Sequence, residues 1–83
     1  IFAILVSGKE VPYHYHQERE SIVMAIHGEA IQVMEGEEFP IKAGDVFFVP
    51  AQTKHQTINR SQDDFRFLEF YTNAPDNDRV MVE

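Results

Sequence analysis

Short apolar runs recur along the chain at close spacing, and each ends at a cluster of turn-forming residues. Ile1 to Val6 stops at Ser7-Gly8, and Val11 to His16 follows Lys9-Glu10. Ile22 to Ile26 stops at Gly28, Ala30 to Met34 at Glu35-Gly36, and Glu38 to Ile41 at Ala43-Gly44-Asp45. Val46 to Val49 stops at Pro50, His55 to Asn59 runs into Arg60-Ser61-Gln62-Asp63-Asp64, and Phe65 to Thr72 closes the series. This rhythm predicts about eight strands and an antiparallel sandwich or barrel. The run Glu18 to Met34 is rich enough in Glu, Ala, Met and Gln to suggest a helix. Gly28 at its middle and the β-branched Ile22, Val23, Ile26, Ile31 and Val33 favour two strands and a tight turn instead.

Alternation within the runs adds detail. Phe47 and Phe48 should face opposite sides of their strand, and Phe65 to Tyr71 carries apolar residues on both faces, as in a strand covered on both sides. A dimer interface is one such cover. Pro75 among Asn and Asp interrupts the pattern, so residues 1–73 read as the barrel and 74–83 as a tail, either a further strand, a dimer arm or disordered.

His14 and His16 lie one residue apart, so in an extended segment both imidazoles project from the same face and can share one ion. His55 lies beyond a Gly-Asp turn and another apolar run. Three imidazoles converging inside a small barrel suit a transition metal. His27, directly before Gly28, reads as a surface hairpin residue, and Glu18, Arg19 and Glu20 as a solvated mixed-charge loop.

Eighty-three residues make one domain with a modest core, and without cysteine neither a disulfide nor a thiolate zinc site can brace it. A closed barrel, a metal or a homodimer interface has to contribute. The net charge of -7, with seven Lys and Arg scattered singly, argues against a nucleic-acid partner. Ile1 to Val6, the longest apolar stretch, is far short of the ~20 residues that span a bilayer, so the chain reads as soluble and cytoplasmic, with no membrane partner. It opens on isoleucine, which leaves room for residues ahead of Ile1 and for any signal they carry.

Two stretches resemble the motifs of the cupin superfamily. Gly8, His14-Tyr15-His16 and Gly28 resemble the first; Gly44-Asp45, Pro50, His55 and Asn59 resemble the second. The resemblance spans Gly8 to about Thr72 and implies a double-stranded β-helix, a jelly-roll barrel, with a metal near its axis. It implies as ligands His14, His16 and His55 with a glutamate from the first motif. Counting forward from His16 reaches Glu20, whereas counting back from Gly28 reaches Ser21. The two cannot both face inward without a bulge, so either Glu20 is a ligand or the site has three histidines only. A second departure is Gln52, where the family often has glycine in a turn that needs positive φ.

The donor set suits divalent Fe, Mn, Ni, Zn or Cu without choosing among them. The resemblance implies binding of, or action on, a small molecule. Dioxygenase, isomerase and decarboxylase chemistry all occur on this fold, which selects none of them. A non-catalytic barrel that binds or senses a sugar or other effector is the alternative. No residue is placed well enough to name as catalytic.

Overall fold

A computed structural model describes residues 1–72 and 78–82. Nine strands are present among them: β1 (Phe2–Leu5), β2 (His14–His16), β3 (Ser21–His27), β4 (Glu29–Met34), β5 (Glu37–Lys42), β6 (Val46–Val49), β7 (His55–Ile58), β8 (Phe65–Tyr71) and β9 (Arg79–Met81). They form two antiparallel sheets, one ordered β1-β8-β3-β6 and the other β5-β4-β7-β2-β9. This interleaving of sequence-distant strands is the jelly roll that the resemblance implies. The stretch Glu18 to Met34 is indeed two strands and a turn, with Gly28 at φ +83°. A Cβ on Gly28 would run into the backbone carbonyl of Asp64, so the hairpin packs against the loop before β8 only because the side chain is absent.

Most strands match the apolar runs to within a residue at each end, and two contain or adjoin a proline. The run Val11 to His16 is strand only over its last three residues, because Pro12 lacks an N–H to contribute to a ladder. Strand β5 instead includes Pro40, opposite Ile31, at the free edge of its sheet, where a missing donor leaves no ladder bond unmade. Arg79–Met81, in the expected tail, is a strand that pairs with β2 antiparallel; residues 74–77 and 83 of that tail, and residue 73 at the expected end of the barrel, lie outside the described residues.

The apolar core fills one part of the barrel. Ala25, Ala30, Ile41 and Phe65 are its buried centre, with Leu5, Phe47 and Phe67 packed against them. Phe47 and Phe67 also line a cavity of about 370 Å³ that opens beyond the core and holds the histidines. Asn59, 1 % exposed, ties the structure at the opposite end of β7 from His55. Its Nδ2 donates to the carbonyls of Leu5 and Asp63, both at 2.8 Å, and its Oδ1 accepts from the backbone N–H and hydroxyl of Ser61. All of its side-chain hydrogen-bonding capacity is used within the fold.

Candidate metal centre

Strands β2 and β7 are neighbours, and their register sets His14 opposite His55. His16 follows on the same face two residues along, as the period of a strand requires. The ring centroids stand 4.3 Å apart for His14 and His55, 5.0 Å for His14 and His16, and 5.9 Å for His16 and His55. One ligand nitrogen from each ring lies within 4.8 Å of the others. His14 and His16 are buried and His55 is half-buried.

Two of the rings are held in a defined tautomer. Nδ1 of His14 lies 2.6 Å from the Pro12 carbonyl and Nδ1 of His55 lies 2.8 Å from the Thr53 carbonyl. A carbonyl only accepts, so each Nδ1 carries the proton and each Nε2 keeps its lone pair for the cavity. Nδ1 of His16 is buried without a hydrogen-bond partner among the described residues; the nearest acid, Asp78, stands 3.7 Å away. The Asp78 carboxylate already accepts from the backbone N–H groups of Glu18 and Arg19.

Burial disfavours the charged imidazolium, and it lowers the pKa of all three rings. That of His14 falls from 6.5 to about 4, chiefly by desolvation, against the opposing hydrogen bond to Pro12 and with further lowering from His55. His16 is lowered by desolvation and then by the charge of Arg19. His55 is lowered by desolvation, partly offset by the Thr53 carbonyl and the Glu69 carboxylate. Neutral rings with aimed lone pairs are the form that ligates a metal. Convergent, uncharged and withdrawn wholly or partly from solvent, the three histidines fit a divalent transition ion.

Glu20 is not brought to this cluster. It is exposed, in the loop before β3, and its backbone rather than its carboxylate is engaged, with Thr72. Ser21 begins β3, is 5 % exposed and faces the cavity. Of the two alternatives left by the sequence, the inward position belongs to Ser21. Its hydroxyl donates to Oε2 of Glu69 at 2.9 Å, and Glu69 on β8 also lines the cavity. Arg19 is another resident that a solvated-loop reading misses: half-buried, it places its guanidinium carbon 4.2 Å from the centre of the Tyr71 ring. Arg79 on β9 completes the charged lining. His27, as expected, is on the surface, paired with Asp63 at 2.8 Å.

The turn that carries His55 adopts the conformation its sequence disfavours. Gln52 has φ 64°, the left-handed region where glycine is usual. Its N–H donates to the His16 carbonyl at 2.7 Å, which ties this turn to β2 and so helps fix His55 against the other two rings.

A family model for the cupin domain matches residues 1–71. The chain belongs to the cupin family. This cupin is 34 % identical over 64 residues to an oxalate-binding protein of Thermotoga maritima, covering 77 % of the present chain and 53 % of that protein. It is 33 % identical over 64 residues to a glucose-6-phosphate isomerase of Pyrococcus abyssi, covering 71 % and 34 %. A sugar phosphate isomerase of the cupin superfamily from Silicibacter pomeroyi superposes with TM-score 0.82 at 31 % identity, over 89 % of this chain and 49 % of that one. A double-stranded β-helix protein from Klebsiella pneumoniae superposes with TM-score 0.85 at 25 % identity, over 99 % and 71 %. The present cupin spans roughly half the length of most of its sequence relatives. Among the described residues no helix is long and apolar enough to cross a membrane.

Proposed function

We propose that this cupin binds one divalent transition metal through His14, His16 and His55 and acts on a small molecule seated in the adjoining cavity. The observation that carries the reading is the convergence of three neutral imidazoles, two with Nε2 freed by a carbonyl on Nδ1, at the wall of a cavity of about 370 Å³. A barrel serving only as a scaffold gains nothing from burying three ionisable rings without a partner for their lone pairs. Three protein ligands leave coordination positions open, and a metal there would supply Lewis-acid or redox chemistry. The protein's part is to orient the rings, to keep them unprotonated and to surround the small molecule with Ser21, Glu69, Arg19 and Arg79. Relatives that bind oxalate or isomerise sugar phosphates support a small polar ligand, in catalysis or in binding alone.

The test is metal content. Protein purified without chelator should carry, or take up on reconstitution, about one equivalent of metal that His55→Ala loses. If metal is present at 100 times its dissociation constant, it stabilises the fold by about 2.7 kcal/mol, which a chelator removes. An unchanged melting temperature on chelation, with no uptake, would refute the centre.

We also propose that a second copy covers the outer face of the β1-β8-β3-β6 sheet. The register sets Phe2 by Leu68, and Ile22 between Phe48 and Phe70, with Met24 between Val46 and Leu68. Phe2, Ile4, Ile22, Met24, Val46, Phe48 and Phe70 are all exposed, with Arg66 the charge beside them. So continuous an apolar surface is rare on a monomer, and its uniform character lets it pair with itself about a two-fold axis. Sedimentation at micromolar concentration should show a dimer that Phe70→Glu dissociates; a wild-type monomer refutes it.

A further inference from the structure

The charged lining of the cavity points to one ligand class. We propose that the cavity takes a small hydroxy acid, its carboxylate held by Arg19 and Arg79 and its hydroxyl donating to Glu69. This rests on the metal centre proposed above and names what sits beside it.

Glu69 is the only acid in its row of β8, which otherwise presents Phe65, Phe67 and, at the strand's end, Tyr71. Ser21 fixes it through Oε2, and among the described residues no other hydrogen bond reaches the carboxylate. Oε1 is therefore left to accept a hydrogen bond from a ligand, and a carboxylate accepts only, so the ligand must donate. Arg19 is held by stacking on Tyr71. Its Nε is buried without a hydrogen-bond partner among the described residues, and neither Arg19 nor Arg79 forms a salt bridge among them, whereas Arg60 and Arg66 do. A planar guanidinium with unused donors suits a carboxylate.

Charge gives the same sign. Arg19 and Arg79 balance Glu69 and Asp78, and Asp78 is occupied by two backbone N–H groups. A divalent ion on neutral histidines then leaves the cavity positive by two, which an anion relieves. A neutral sugar would leave the guanidinium donors unanswered, and a simple carboxylic acid would leave Glu69 facing like charge with nothing to accept.

Zinc-loaded protein titrated calorimetrically with glycolate, acetate and glycolamide separates these contributions, with zinc content measured on each sample. Glycolate should bind roughly tenfold or more tightly than either analogue, as expected for hydrogen bonds to charged groups. Glu69→Met, which has no comparable acceptor, should abolish the preference for glycolate over acetate, and Arg19→Gln should weaken the preference for glycolate over glycolamide with Arg79 still in place, each variant keeping its zinc. Equal affinity for glycolate and acetate in the wild type, no binding of any of the three at full zinc occupancy, or a preference that survives Glu69→Met overturns the proposal. A wild type that takes up neither zinc nor iron, manganese, nickel or copper refutes the histidine centre instead. The glycolate preference read on that metal-free protein then decides for Glu69 and Arg19 alone.

Discussion

Acid should unfold the metal-free protein through its histidines before most of its carboxylates titrate. His14 has a pKa of about 4 in the fold and 6.5 when unfolded, mainly because burial penalises its charge. Between these values the unfolded chain binds the proton and the folded one does not, so stability rises with pH across the window. The contribution is fully present above about pH 6.5 and is gone below about pH 4. At 1.36 kcal/mol per unit, His14 alone accounts for about 3 kcal/mol between those limits, a large share of a small domain's stability. His16 and His55 are lowered by the same cause and act in the same direction.

The assay is urea unfolding in the presence of chelator at several pH values from 7.5 to 4, for wild type and His14→Asn. Asparagine keeps a donor near the Pro12 carbonyl and does not titrate. If m is about 1.5 kcal/mol/M, the His14 contribution moves the wild-type midpoint by about 2 M, and the variant should lack that part of the fall. Glu38 and Asp63, whose pKa values are lowered by Arg60 and His27, also lose stabilisation as pH falls, but they are exposed, titrate lower and are common to both proteins. Parallel midpoint curves for the two proteins would refute the assignment of the acid loss to the buried imidazole. Saturating metal should steepen the wild-type dependence, since protons compete for the same nitrogens.

Two structural predictions follow from the turns and loops that aim the site. Asn59→Ala removes the donors to Leu5 and Asp63 and the acceptor of Ser61 at a fully buried position, and should cost about 2–4 kcal/mol in urea unfolding; a cost under about 1 kcal/mol would show that water replaces the clamp. Gln52→Gly relieves a left-handed residue but adds freedom to the unfolded chain, so stability should change by no more than about 1 kcal/mol, upward, with metal content unchanged. A loss of more than about 1 kcal/mol, beyond the effect on the unfolded chain, would mean that the Gln52 side chain helps to hold the turn.

The fold was legible because turn residues punctuate the chain at the right intervals and each apolar run keeps one type of periodicity. The histidines were legible because strand period fixes His14 and His16 on one face whatever the rest of the barrel does, and a motif of matching spacing adds His55. Pairing between distant strands is what the sequence does not disclose. That β8 lies against β3, so that Glu69 pairs opposite Val23 and its carboxylate meets the Ser21 hydroxyl, is a consequence of sheet order and register.

One signal for Glu69 was nonetheless present. After Phe65 and Phe67 the same row of a core strand turns to a charge at Glu69, and an ionised group on an apolar face has either a partner or a use. Arg19 carries no comparable mark, because a mixed-charge run before a strand reads the same whether its middle residue points to water or folds over Tyr71. Ser21 brings no charge into the cavity itself, and its hydroxyl holds an acid from the neighbouring strand. The negative charge thus stands beside the three rings rather than among them, and under the proposed function it is left to the molecule in the cavity.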